Sequence, residues 1–209
     1  MIDILIADDH SIVRRGLKEI LLEEYPDARI SEVSDGIELL REARAKHWNI
    51  IISDLSMPGR SGLETLKQLK EEFPKVPVLI LSMHAENHYA IRSLRAGAAG
   101  YLTKESASEE LVNAVRRILE GRRYISEAVA EKMAENLDHD GPGELHETLS
   151  DREFDVLKLI ASGKTISEIA DQLSLSLTTV STYRSRILLK TKMKTNAELT
   201  HYAIENRLV

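Results

Sequence analysis

Three acidic side chains follow apolar runs at the points where buried strands would end. Asp54 comes directly after the run 49–53 and precedes a Met-Pro-Gly turn, while Asp8 and Asp9 follow the run 2–7. A parallel sheet exposes its chemistry at the carboxyl ends of its strands. If the two strands are neighbours, the three carboxylates converge, and such a cluster is costly without a cation. The pattern therefore predicts a site for a hard divalent ion with oxygen ligands.

Apolar runs alternate with amphipathic helical patterns up to about residue 121. The five predicted strands lie at 2–8, 29–34, 49–53, 77–82 and 98–102. The helical patterns between them fall at about 11–24, 36–46, 62–72, 86–96 and 107–120. Five successive strand–helix units predict an α/β fold with a doubly wound, five-stranded parallel sheet. Helix starts are marked by predicted capping boxes, each with a glutamate three residues later, at Ser61, Ser106, Ser150 and Thr165.

Composition bounds the class of protein. The chain has 209 residues, 43% of them apolar, which suits one large or two small domains. The absence of cysteine excludes disulfides and thiolate metal sites. The seven histidines show no ligand spacing, so His10 is expected to be solvated or structural.

Charge is distributed unevenly. Residues 148–209 carry nine Lys/Arg and seven Asp/Glu, while the remainder carries nineteen and twenty-seven. An acidic front with a locally basic tail predicts two domains with different partners. No apolar run approaches the ~20 residues of a membrane span, and the first residues lack a basic leader. We therefore expect a cytoplasmic protein with no membrane partner.

A linker and a purely helical region follow the predicted sheet. One more helix is predicted at about 126–137, and the segment 138–144 has two glycines around a proline and no apolar periodicity. Further helices are predicted at 150–161, 165–173, 177–190 and 196–206. Two short helices joined by a brief turn, the second one basic, form a helix-turn-helix signature.

The motifs along the chain match those of one known family. They are Asp8-Asp9, Asp54 with Met57-Pro58-Gly59, Ser82, and Gly100-Tyr101-Leu102-Thr103-Lys104. With these motifs, residues 1–121 resemble the flavodoxin-like receiver domain of two-component response regulators. The whole chain resembles the NarL/FixJ group, whose output domain is a LuxR-type helix-turn-helix. The resemblance implies a receiver domain at 1–121, a linker at 122–147 and a small all-α DNA-binding domain at 148–209.

The resemblance also implies a role for each residue of the acidic pocket. Asp54 is the phosphoacceptor for a partner histidine kinase. Asp9, Asp54 and the backbone carbonyl of Ser56 hold Mg²⁺ or Mn²⁺, with Asp8 acting through water. Lys104 pairs with an oxygen of the phosphoryl group.

Two further residues are implied to pass on the added charge. Ser82 would hydrogen-bond a phosphoryl oxygen once Asp54 is modified. Tyr101 would then reorient into the space that Ser82 vacates. Together they would form a bistable element that reshapes the face made by residues 83–105.

The helix predicted at 177–190 has the pattern of a helix that reads DNA. At about 100° per residue, Val180, Tyr183 and Ile187 share the inward face, and the outward face carries Ser181, Thr182, Ser185 and Leu189. Small polar side chains can meet base edges in the major groove while flanking cations meet phosphates. By resemblance, Ser181, Thr182 and Ser185 are base-contacting positions. The other DNA-binding positions are Thr178, Thr179, Arg184, Arg186, Lys190 and Lys192.

A domain of this size makes few DNA contacts. Paired half-sites on double-stranded DNA and a homodimer favoured by phosphorylation are therefore expected. The last helix offers a stripe that could self-pair or equally pack into the core, made by Leu199, Tyr202, Ala203 and Ile204.

The leading interpretation is a DNA-binding transcription factor, not an enzyme, in which phosphorylation frees the helix-turn-helix or favours dimers. Its own dephosphorylation would be slow. One alternative is a Mg-dependent aspartyl-phosphate phosphatase, but haloacid-dehalogenase-like enzymes place a second Asp where Ser56 stands. Another is a receiver with a protein-binding output, against which the acid-free segment 174–197 speaks.

Overall fold

The computed structural model describes residues 2–57, 61–83, 86–126, 129–131, 145–206 and 208–209. The chain divides into two compact units, residues 1–138 and 139–209. Across the described ranges, no helix is long and apolar enough to span a lipid bilayer.

The first unit is a five-stranded parallel sheet with the strand order β2-β1-β3-β4-β5. Its strands are β1 (Asp3–Ala7), β2 (Arg29–Val33), β3 (Ile50–Asp54), β4 (Val78–Ser82) and β5 (Gly100–Thr103). Its helices are α1 (Ser11–Glu24), α2 (Gly36–Ala45), α3 (Gly62–Glu72), α4 (Glu86–Arg95) and α5 (Ala107–Leu119). The predicted fold class is therefore confirmed. Asp54 itself is the last residue of β3, one position beyond the predicted strand end.

The sheet forms because its central strands are apolar on both faces. Every residue of β3 and β4 is buried, as expected for parallel strands covered by helices on each side. Alternate residues of β1, Ile4 and Ile6, enter a core shared with Leu21 of α1 and Val115 of α5. This burial fixes the register that brings the strand ends together.

Helix starts agree with the sequence at some positions and not at others. The capping box predicted at Ser61 is wrong, since its side chain caps no backbone N–H. The box predicted at Ser106 is also wrong, because that residue already has helical dihedrals and its hydroxyl donates to the Thr103 carbonyl. At α2, Asp35 accepts hydrogen bonds from the N–H groups of residues 37 and 38 and is the cap.

The second unit is helical, as predicted. A 3₁₀ helix (Leu145–Thr148) precedes α6 (Asp151–Ala161), α7 (Ile166–Leu173), α8 (Leu177–Thr191) and α9 (Asn196–Glu205). Capping boxes at Ser150 and Thr165 are confirmed, and Ser176 caps α8. Ser174 ends α7 in the left-handed region (φ 53°), which turns the chain sharply into α8.

Most of the helix predicted at about 126–137 lies outside the described residues. On one side of the predicted linker, Tyr124 forms a parallel bridge with Gly100, and its N–H donates to the Ala99 carbonyl over 2.9 Å. On the other side, the buried His146 lies in the 3₁₀ helix beside Tyr202 of α9, Nδ1 to Oη 3.0 Å. Both ends of the predicted linker therefore contain packed structure.

Candidate functional site

Three strand ends of the first unit bring two carboxylates and one ammonium group together. Ala7 pairs with Ser53 in register across the neighbouring strands β1 and β3. The residues that follow them, Asp8 and Asp54, therefore lie side by side. Lys104, directly after β5, is held by a backbone hydrogen bond to the Ser82 carbonyl. Its Nζ lies 2.7 Å from Asp8 Oδ2 and 2.8 Å from Asp54 Oδ2. The acidic pocket, defined by Asp8, Asp9 and Asp54, thus contains a cation supplied by the chain.

Burial and pairing oppose each other in this pocket. Asp8 and Asp54 are almost wholly buried. Burial raises the pKa of Asp54 above its ordinary value, although hydrogen bonds from Lys104 and the Ser56 N–H act in the other direction. For Lys104, burial would lower the pKa, but the hydrogen bonds to Asp54 and Asp8 outweigh it and the pKa is raised. The lysine is therefore held in its charged form.

The oxygen atoms of the pocket fit a divalent ion. Ligand atoms of Asp8, Asp9, His10 and Asp54 all lie within 4.8 Å of one another. Asp9 Oδ1 is shielded from solvent and accepts no hydrogen bond from the residues that the structure describes, although His10 Nδ1 is 2.8 Å away. Clustered carboxylate oxygens with an unsatisfied member suit a hard cation.

His10 has a solvated side chain, as expected, and it lies beside the acidic pocket. Its backbone N–H donates to Asp8 Oδ1 over 2.8 Å, and its exposed ring turns back toward Asp9. Its place beside the pocket could have been expected from its position directly after Asp8 and Asp9, although the spacing of the histidines shows no metal-ligand pattern.

The remaining residues predicted for the pocket lie around it. The Ser56 N–H donates to Asp54 Oδ1 over 3.0 Å, which holds this exposed residue beside the carboxylate. Ser82 is fully buried at the end of β4, and its partner in register is Thr103, the residue before Lys104. Tyr101 is buried within β5.

Two residues that support the pocket were missed by sequence reasoning. A Cβ at Gly62 would lie 2.2 Å from the Leu55 carbonyl oxygen, so only glycine lets α3 begin this close to the residue after Asp54. Arg14 donates from Nη1 to the Asp8 carbonyl over 2.6 Å and steadies the turn after β1. Neither residue has a signal in the sequence, because each acts on the backbone of a residue several positions earlier in the chain.

In the second unit, α8 presents the face predicted for DNA reading. Val180 and Ile187 are buried, as predicted, and Tyr183 is partly buried. On the opposite side, exposed residues are Ser181, Thr182, Ser185 and Leu189. The hydroxyls of Thr182 and Ser185 donate to helix carbonyls one turn earlier.

The other predicted DNA-binding residues differ in how they are held. Thr178, Arg186 and Lys192 are exposed. Thr179 Oγ1 lies 2.8 Å from the hydroxyl of the capping Ser176, and Arg184 donates to Asn196 over 2.6 Å. Lys190 differs from these residues because it pairs with a buried carboxylate. Its Nζ is 2.6 Å from Glu153 Oε2, which makes it an internal ion pair.

Comparison with protein families agrees with this arrangement. The response regulator receiver domain matches residues 4–116, and the luxR family of bacterial regulatory proteins matches residues 147–203. The chain belongs to the NarL/FixJ response regulators. With a receiver domain and a LuxR-type helix-turn-helix in one chain, this response regulator is a DNA-binding transcription regulator of a two-component system.

Curated relatives match the response regulator along its whole length. It is 35% identical over 209 residues to the response regulator UvrY of Escherichia coli (strain K12), covering 100% of this chain and 96% of UvrY. It is 34% identical over 213 residues to the response regulator GacA of Pseudomonas aeruginosa, covering 100% of this chain and 98% of GacA.

Among solved structures, this response regulator is similar to RcsB from Salmonella enterica serovar Typhimurium, bound to a promoter in the presence of phosphomimetic BeF3⁻. The two share 26% identity at a TM-score of 0.65, covering 96% of this chain and 97% of RcsB. The aligned region includes residues of both units.

Proposed function

We propose that this response regulator is switched by transfer of a phosphoryl group from a histidine kinase to Asp54. The observation that carries the proposal is the convergence of Asp54, Asp8 and Lys104 within ion-pair distance, although they come from three strand ends. Asp54 is the buried nucleophile, and Lys104 is the cation already in place to meet a phosphoryl oxygen.

The acidic pocket would bind Mg²⁺ or Mn²⁺ through Asp9, Asp54 and the Ser56 carbonyl, with Asp8 contributing through water. The ion, when bound, neutralises charge on the transferring phosphoryl group. The unsatisfied Asp9 oxygen and the two buried carboxylates support this assignment. Oxygen ligation that leaves room for water is what Mg²⁺ prefers.

The transfer itself is a displacement by a carboxylate. An Asp54 oxygen attacks the phosphorus of the phosphohistidine, and the P–N bond breaks. The departing imidazole nitrogen keeps the bonding electron pair and takes up a proton. Lys104 exchanges Asp54 Oδ2 for a phosphoryl oxygen and remains charged, since its pKa is raised. Slow hydrolysis of the acyl phosphate would return Asp54 to its resting form.

Ser82 and Tyr101 would transmit the change. The phosphoryl group adds about −1.5 to −2 charge units and new acceptor oxygens at the end of β3. Ser82 ends β4, the strand next to β3, and its hydroxyl would hydrogen-bond such an oxygen. Tyr101 lies next to Ile80 in register and would move as β4 and its following loop are drawn toward Asp54.

The output of this switch would be DNA binding by α8, in the cytoplasm, by a homodimer on paired half-sites. The exposed hydroxyls of Ser181 and Ser185 would meet base edges, and Arg186 and Lys192 would meet phosphates. RcsB binds a promoter in the presence of a phosphomimetic, and two RcsB dimers bind two parallel DNAs, which supports the proposal by analogy.

The direct test is footprinting on a duplex that the wild-type chain selects from a random pool. Wild type and Asp54→Ala are each incubated with and without a small acyl-phosphate donor and Mg²⁺. We expect the donor to strengthen protection for wild type and to leave Asp54→Ala unchanged. Asp27→Ala, which removes an exposed carboxylate on the same unit, should behave as wild type. Equal protection by wild type and Asp54→Ala, with and without the donor, would reject control by phosphorylation.

A further inference from the structure

We propose that Lys190 is a positioning residue that fixes the reading helix α8 through Glu153, rather than a phosphate contact. The inference rests on the proposed DNA binding by α8 and changes the role that the sequence resemblance implies for this lysine. Its basis is an ion pair between residues 37 positions apart, at the opposite end of α8 from its capped start.

The ion pair of Lys190 and Glu153 joins three elements of the second unit. Glu153 Oε2 accepts a hydrogen bond from the Ser150 N–H at 2.7 Å, which completes the capping box of α6. The same oxygen accepts the Lys190 ammonium at 2.6 Å. Lys190 also donates to the Thr148 carbonyl at 3.3 Å, in the 3₁₀ helix. One ammonium therefore links α8, the start of α6 and the segment before it.

Burial makes the pair costly to break. The Glu153 side chain is 3% exposed, and Lys190 is 39% exposed. A carboxylate held this far from water needs its partner, because an unpaired buried charge is strongly unfavourable. The pKa of Glu153 supports the pairing: burial alone would raise it, but the hydrogen bonds from Lys190 and Ser150 bring it below its ordinary value.

The pair complements the apolar contacts of α8. Val180 and Ile187 bury one face of the helix, and such contacts resist separation more than sliding or rotation. A hydrogen-bonded ion pair is directional and fixes the end of the helix against α6. Ser181 and Ser185 read DNA only if α8 lies at the correct angle, so the pair determines whether the reading face meets the base edges.

Charge provides a sharp test, because Glu153 is an anion close to the reading helix. If electrostatics alone mattered, Glu153→Gln would strengthen DNA binding by removing a repulsive charge. If the pair positions α8, the same substitution weakens binding. Glutamine keeps an oxygen that can accept the Ser150 N–H, so the capping box and the fold are retained.

The experiment compares full-length wild type with Lys190→Met, Glu153→Gln, the double variant and Arg186→Gln. Affinity is measured against salt on the selected duplex and on a scrambled duplex. Arg186 is exposed on the same helix, so Arg186→Gln is the matched loss of one cation. Hydrogen exchange of the second unit, measured in parallel, reports the folded fraction of each variant.

For a positioning role, Lys190→Met and Glu153→Gln each lower affinity for the selected duplex about tenfold, the cost of roughly one mismatched base pair. The double variant should lose no more than either single variant. Affinity for the scrambled duplex should fall less, so the specificity ratio falls. A general loss of folded protein would lower both affinities equally. The salt dependence should stay at the wild-type slope.

The proposal is overturned if Lys190→Met reduces the slope of log affinity against log salt by about 0.9, as loss of a phosphate contact does. That slope change is the result expected for Arg186→Gln. Unchanged or stronger binding by Glu153→Gln also overturns it. Absence of selective binding by the wild type would instead reject the proposed DNA-binding function of α8.

Discussion

Lys104 donates a hydrogen bond to Asp54 across 2.8 Å, although 50 positions separate the two residues in the chain. The same ammonium is 2.7 Å from Asp8 Oδ2, so one oxygen of each buried carboxylate is engaged before any phosphoryl donor arrives. The resting pocket is therefore neutralised in part by the chain's own cation. A bound metal ion would take over part of that neutralisation and leave the Lys104 ammonium to pair with the incoming phosphoryl group.

Removal of this cation should destabilise the first unit in a metal-dependent way. We expect Lys104→Met to lower the free energy of unfolding by about 3 kcal/mol, because two buried carboxylates lose their partner. Saturating Mg²⁺ should recover much of the loss by supplying charge to the same oxygens. Urea unfolding followed by Trp48, the single tryptophan and a buried residue of this unit, measures both values. Lys75→Met, at an exposed lysine, is the control. Identical losses with and without Mg²⁺ would contradict the expectation.

Gly62 should be intolerant of even one methyl group. A Cβ there would meet the Leu55 carbonyl at 2.2 Å, so Gly62→Ala must displace either α3 or the backbone after Asp54. We expect a loss of about 2 kcal/mol or more in unfolding free energy, as for other overpacked sites. Gly16→Ala is the matched control, since a Cβ there meets nothing within 4 Å. That change should stabilise α1 by about 0.5–1 kcal/mol. Similar effects from the two substitutions would be the contrary result.

The second unit should lose stability on acidification through Glu153. Burial would raise the pKa of this group, but hydrogen bonds from Lys190 and Ser150 lower it below the ordinary value of 4.5. The unfolded state therefore binds the proton more tightly, and the stabilisation is fully present above about pH 4.5. It is lost as the pH falls through the lower, folded-state pKa. Hydrogen exchange of wild type and Glu153→Gln across this pH range measures the stability of the second unit in each. Stability curves that run parallel with pH would contradict this role of Glu153.

The hydroxyl of Tyr202, a residue of α9, should stabilise the second unit. It accepts a hydrogen bond from the His146 N–H at 3.2 Å and lies 3.0 Å from the imidazole Nδ1. We expect Tyr202→Phe to cost about 1–2 kcal/mol of unfolding free energy, because a buried donor loses its acceptor. Tyr183→Phe, at a partly exposed ring of α8, should cost much less. Hydrogen exchange of α9 in both variants measures the costs, and equal values would refute the role of this contact.

The fold was largely predictable because its signals are local and repeated. Apolar runs such as Ile50–Ile52 are buried on both faces, and their alternation with amphipathic helices predicts a parallel sheet. The strand order, which makes β1 and β3 neighbours and brings Asp8 to Asp54, came only from the structure. Helix caps were less predictable, because a cap depends on backbone dihedrals as well as residue type. Ser150 and Ser106 have the same pattern, yet Ser106 has helical dihedrals and cannot serve as one.

The details of the sites depended on contacts that no motif encodes. The link from Lys190 to Glu153 joins two helices whose relative position emerges only from packing of the second unit. The close approach of Gly62 to Leu55 is a steric requirement between two backbones. Sequence reasoning finds the groups that carry charge or chemistry, and packing decides which of them are already engaged.

The bridge between Gly100 and Tyr124 has a practical consequence for cutting the chain. Strand β5 is the outermost strand on its side, and Tyr124 covers part of its free edge while its hydroxyl donates to Glu110 over 2.8 Å. Uncovered strand edges recruit other chains into aggregates. A receiver fragment ending at residue 121 would expose that edge, whereas one extended past residue 126 would keep it sealed and stay monodisperse.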